Sequence, residues 1–149
     1  MAYSNLADDE HKRLQRVWDT YENSGTIRFE NGHYMWKKSS NNGYGRVGIK
    51  LNMKEGPTVQ KMFYAHVLAY CLKDWTFNWD DRRKTKLDVS HLCGEKLCVS
   101  HEHLILESRG DNNARKKCHK RRHCFGHGLL KPKCIFRSKF IYLNKVHVI

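Results

Sequence analysis

A chain of 149 residues with 40% hydrophobic content suits one folded domain, 1–149, and leaves little room for a second core. Its 28 Lys and Arg against 15 Asp and Glu give a formal charge of +13 at pH 7. That balance disfavours basic partners and favours a polyanion, nucleic acid first and an anionic membrane surface second.

No apolar run is long enough to span a bilayer, and the N-terminal stretch MAYSNLADDEHKRLQRVWDTY lacks the apolar core of a secretory signal. The expected setting is intracellular, the nucleus in a eukaryote and the cytoplasm otherwise. There, cysteines bind metal more often than they pair as disulfides.

From Leu6 to Tyr21 the apolar residues Leu6, Leu14, Val17, Trp18 and Tyr21 recur at helical spacing. Asp8, Asp9 and Glu10 lie near the start, where the helix dipole favours acids. Ile27-Arg28-Phe29, the turn pair Asn31-Gly32 and His33-Tyr34-Met35-Trp36 predict a hairpin. SSNNGYG predicts a loop, followed by a short strand from Arg46 to Leu51. Thr58 predicts the cap of a second helix, with Met62, Phe63, His66, Val67, Tyr70 and Cys71 along one face.

Trp75, Phe77 and Trp79 then sit in a polar connector with basic residues from Arg82 to Lys86, and Leu87 and Val89 begin a short strand. The tail after Cys134, IFRSKFIYLNKVHVI, has the composition of a strand or an extended arm. The elements add up to an α+β class.

The cysteines and histidines cluster in the stretch VSHLCGEKLCVSHEHLILESRGDNNARKKCHKRRHC, from Val89 to Cys124. Cys93 and Cys98 flank a tight knuckle, and His103 follows five residues later, giving three of the four ligands of a tetrahedral zinc. Cys118, Cys124, His127 and Cys134 form a complete Cys3His set. Two such knots would hold a chain with long polar loops, because metal binding becomes folding energy. Buried thiols or disulfides are the competing reading, which this polar, glycine-dotted setting disfavours. The fourth ligand of the first set is open between Cys71, on an apolar helix face, and His33, on the early strand.

The segments HYMW, NNGYGRVGI, YAHVLAY and LDVSHLCGEKLCVSHEHLILESRGDNNARKK resemble the His-Me finger (ββα-metal) endonucleases, in particular the phage-type HNH and His-Cys box homing enzymes. The resemblance covers about His33 to Cys134. It implies a zinc-stabilised ββα-metal fold with an N-terminal helix, antiparallel strands and an extended C-terminal arm, 135–149, exchanged across a homodimer. At the position of His33 the family usually has a zinc-ligating Cys, which decides for His33 over Cys71.

By the same resemblance, His91 is the general base that takes a proton from water, and Asn112 binds one catalytic Mg2+. The two zinc ions stay structural. Asn113 lies one residue out of that register, and Asp111 is a helix cap or a supporting acid. The resemblance departs at Val67, where many relatives carry an Arg that touches phosphate near the cut. Lys61, Arg46 or Lys50 would then supply the positive charge. DNA is expected along the strands from Trp36 to Lys50 and along RKKCHKRRH, with Arg46, Lys50, Lys61 and Arg115 among the contacts.

The implied activity is Mg2+-dependent hydrolysis of phosphodiester bonds in double-stranded DNA by a homodimer. The rival readings are a non-catalytic zinc-stabilised DNA-binding module and an RNA-directed or non-specific nuclease.

Overall fold

The computed structural model describes residues 7–74 and 86–136. Leu6 at the expected helix start, the connector with Trp75, Phe77, Trp79 and Arg82, and the arm from 137 onward lie outside the described residues.

Helix α1 spans Glu10–Asn23, and just before it Ala7 N–H bonds to Asn52 O at 3.0 Å. Glu10 is buried, its carboxylate receiving Asn52 N–H and Arg13. Leu14 and Trp18, four residues apart on one face, are buried against the core.

Strands β1 (Ile27–Glu30) and β2 (His33–Trp36) form the expected hairpin, from Ile27 opposite Trp36 to Glu30 opposite His33. Asn31 and Gly32 both take positive φ, 51° and 83°, as a two-residue type I′ turn demands. Trp36 at the end of β2 stacks on Trp18 with centroids 6.2 Å apart, and so fastens the hairpin to α1.

Two expectations need correction. SSNNGYG is not a plain loop: β3 (Ser40–Asn41) and the start of β4 (Tyr44–Leu51) pair across a second Asn-Gly turn, Asn42 and Gly43 at φ 54° and 82°. Thr58 caps no helix either. Residues Val59–Tyr64 form strand β5, antiparallel to β4 from Arg46 opposite Tyr64 to Leu51 opposite Val59. Ladder hydrogen bonds and the burial of Phe63 against Val47 outweigh a helical reading of Met62, Phe63 and His66. Helix α2 (Ala65–Lys73) starts straight from extended Tyr64 and is buried at Ala65, His66, Val67, Leu68, Ala69, Cys71 and Leu72.

The last unit is a strand pair followed by a helix. Strand β6 (Leu87–His91) runs antiparallel to β7 (Leu104–Ser108), with residues 92–103 between them and a turn of 3-10 helix at His101–His103. Helix α3 (Arg109–Arg121) begins at Ser108, whose Oγ accepts Asp111 N–H at 3.1 Å. The core joins α1, the hairpins, α2 and the β6–β7 pair through Trp18, Trp36, Ile49, Phe63, Leu68, Val89 and Leu104. The mixture of helices and antiparallel strands is the expected α+β class. No helix among the described residues is long and apolar enough to cross a membrane.

Candidate active site and metal centres

The loop between β6 and β7 is pinned to β2. Trp36 N–H donates to Leu97 O at 2.9 Å, Val99 N–H to Tyr34 O at 2.8 Å, and Tyr34 N–H to Ser100 Oγ at 2.7 Å. Leu92 N–H closes the loop on His103 O at 2.7 Å. These bonds bring His33, distant in sequence, to Cys93, Cys98 and His103. One ligand atom from each lies within 4.8 Å of the others, and all four residues are buried.

His103 Nδ1 is 3.4 Å from Cys98 Sγ, while the buried His33 Nδ1 meets no hydrogen-bond partner. A hydrogen bond from Cys93 brings the Cys98 thiol down to about 4, and the same bond, with burial, pushes Cys93 up. A cation bound in the cluster would displace the thiol protons. Cys71 stays apart, packed in the hydrophobic core on α2.

The second cluster gathers Cys118 from α3 with Cys124, His127 and Cys134 from the chain that follows. The three sulfurs lie 3.6, 3.3 and 3.2 Å from the single atom His127 Nε2. Zinc–sulfur and zinc–nitrogen bonds of about 2.3 and 2.0 Å at a tetrahedral angle give edges of roughly 3.5 Å, so this donor set fits zinc.

Arg115 belongs to the wall of this cluster, not to a DNA face. It is buried, donating to Glu107 Oε1 at 2.7 Å, Pro132 O at 2.9 Å and Cys134 Sγ at 3.7 Å. Its expected contact with DNA is corrected accordingly. The ladder pairs Arg46 with Tyr64 and Lys50 with Gln60, which sets both cations on the outer face of β4. Lys61 pairs with the buried Ile49 on the opposite face, its ammonium 5.9 Å from the Phe63 ring.

His91 ends β6 and Asn112 lies in the first turn of α3. Both line two adjoining cavities of about 460 and 200 Å³, together with Asn42 and Tyr44. His91 Nε2 lies 2.9 Å from Cys98 O. A carbonyl only accepts, so Nε2 carries the proton and Nδ1 keeps the lone pair. The ring packs against His66 with centroids 4.4 Å apart. Burial pulls the His91 pKa down to about 4, leaving it neutral at physiological pH.

Asn112 Oδ1 accepts from Ser90 Oγ at 2.9 Å, and its Nδ2 donates to Asp88 Oδ2 at 3.3 Å. Arg109 holds Asp88 in turn, at 3.3 and 3.4 Å. An acceptor-only carboxylate on the nitrogen fixes which end of the amide is oxygen. Asn113 is exposed, and Asp111 bonds to Ser108 and Lys131 away from these partners.

Tyr44, His66, Asp88 and Lys96 also line these cavities, and the reading of the sequence assigned none of them a role there. Only Asp88 and Ser90 carried a local signal, being two residues apart on a strand and therefore on one face. Val67, where an Arg was missed, is buried in the core.

Residues 33–145 match the family model described as the zinc-binding loop region of homing endonuclease. The match covers most of the chain, which belongs to this His-Me finger, HNH-type homing endonuclease family. Neither the curated proteins nor the solved structures compared with the chain gave a match.

Proposed function

We propose that this member of the homing endonuclease family is a Mg2+-dependent endonuclease that hydrolyses phosphodiester bonds in double-stranded DNA. The observation that carries the reading is the meeting of His91 and Asn112, from different elements, in one cleft. Both clusters hold zinc and keep β6, β7 and α3 in place around that cleft.

His91 acts as general base. Its Nε2 proton is tied to Cys98 O, and the Nδ1 lone pair of the neutral ring takes a proton from the attacking water. Asn112 is the anchor for Mg2+. Its Oδ1 has a second lone pair beyond the one bonded to Ser90, and the carboxylate of Asp88 adds negative charge nearby. That oxygen donor set suits a hard ion and differs from the sulfur-rich clusters. When bound, Mg2+ neutralises charge that builds on the phosphate and the leaving 3′ oxygen. Arg46 and Lys50 on the outer face of β4 contact backbone phosphates. One site of this size engages one strand, so cutting both calls for a homodimer.

A second reading is a zinc-stabilised DNA-binding module without catalysis. It is favoured by Val67, which lies in the core and brings no cation to the cleft from α2. Plasmid DNA incubated with the zinc-loaded protein separates the two. Mg2+-dependent nicked and linear products support the nuclease; retarded but intact plasmid supports the module. Light scattering with and without DNA measures the dimer.

A further inference from the structure

The larger cavity beside His91 and Asn112 has two lysines in its lining, Lys96 and Lys116. We propose that this part of the cleft binds a backbone phosphodiester next to the scissile one, with Lys96 as its anchor and Lys116 as the second cation. The proposal rests on the reading that the chain acts on DNA, and it supplies the positive charge that Val67 leaves missing.

Lys96 is exposed, and its side chain has two defined neighbours. It sits in the knuckle between Cys93 and Cys98, whose backbone is tied to β2. Its Nζ donates to Asn42 O at 3.3 Å and lies 5.2 Å from the centroid of the Tyr44 ring. The Asn42-Gly43 turn makes room for its stem, since a Cβ on Gly43 would stand 3.0 Å from Lys96 Cδ. Two covalently distant segments, a glycine turn and a metal-binding knuckle, therefore meet at one ammonium.

Its described polar contacts are a carbonyl oxygen and a ring face, both neutral. Lys37, Lys54 and Lys131 instead each meet a carboxylate. An oriented ammonium without a carboxylate, opening on the same cavity as His91 and Asn112, suits an acceptor-only anion. Lys116 lies four residues after Asn112 on α3, one turn along the same side, and is exposed.

The test is fluorescence anisotropy of a labelled DNA duplex against salt concentration, without Mg2+. Zinc content and circular dichroism are checked for every variant. Lys96→Gln, which keeps the stem, and Lys116→Ala should each weaken binding about tenfold and reduce the log–log salt slope by about one. Lys96→Arg should keep the wild-type slope, as should Lys12→Ala on the exposed side of α1.

A folded, zinc-loaded Lys96→Gln with wild-type slope and affinity overturns the proposal, as does a wild type that binds no duplex. If the slope falls as expected but wild type with Mg2+ cuts nothing, the phosphate site stands and only the nuclease reading fails.

Discussion

Arg115 donates from Nε to Glu107 Oε1 at 2.7 Å with both side chains out of solvent, and its Nη1 reaches Cys134 Sγ at 3.7 Å. One guanidinium thus joins β7, the helix that carries Asn112 and the second metal cluster. Removing it strands the Glu107 carboxylate in the interior. Arg115→Ala is expected to cost about 3–5 kcal/mol, the usual penalty for breaking a buried pair from one side. The pair is itself imperfect, since Glu107 Oε2 and Arg115 Nη2 are buried without partners. Arg115→Met combined with Glu107→Leu should therefore lose much less. Urea denaturation of the zinc-loaded proteins measures both, and equal losses for the single and double variants would contradict this account.

The two clusters make a prediction about stoichiometry and folding. Metal analysis should return two zinc ions per chain, and a strong chelator should melt the fold in step with zinc release. Mild EDTA should remove Mg2+ alone. His33→Ala should lower the zinc content and the melting temperature, because it takes one ligand from the first cluster. Cys71→Ser should leave two zinc ions bound, since Cys71 lies in the core. A native protein with intramolecular disulfides and no zinc would exclude the scheme.

How much of this was legible in the sequence depended on the range of the forces involved. The donor atoms of the second cluster lie within one stretch, Cys118 to Cys134, and their chemistry is rare enough to announce a metal. The Asn31-Gly32 hairpin was local too. Strand β5 was not, because Thr58 resembles a cap and Met62, Phe63 and His66 fit a helical face. Only the ladder to β4 decides otherwise. Arg115 sits in a basic run and reads as surface, and its burial follows from Glu107 on a neighbouring strand. The Lys96 site needed the Asn42-Gly43 turn, 54 residues away in sequence from the lysine it holds.

Gly45 offers a test of the hairpin that the sequence concealed. A Cβ there would lie 2.5 Å from Trp36 Cδ1 and 3.1 Å from Ala65 Cβ. Trp36 is 2% exposed and stacked on Trp18, so it has nowhere to retreat. Gly45→Ala is expected to cost about 1–3 kcal/mol, the range for overpacking a filled core. Gly56→Ala is the matched comparison for crowding, because nothing lies within 4 Å of a Cβ there, although its φ of 87° adds backbone strain. Thermal melts with Gly45→Ala at the wild-type midpoint would show that the β4–Trp36 contact is looser than described.

The decisive variants concern the cleft itself. His91→Ala should abolish cleavage while keeping zinc and DNA affinity, because the ring serves water activation and none of the metal clusters includes it. Asn112→Ala should fall by a similar factor, at least about 100-fold, because Mg2+ loses its protein oxygen beside the phosphate. Asn113→Ala should stay within about threefold of wild type, its side chain being exposed where that of Asn112 meets Ser90 and Asp88. The comparison separates an active site from a mere fold element. A general structural defect would lower zinc content and DNA affinity together with the rate, whereas a chemical defect lowers the rate alone. If wild type with Mg2+ leaves plasmid intact and both His91→Ala and Asn112→Ala bind DNA as wild type does, the cleft is not catalytic and the chain acts by binding.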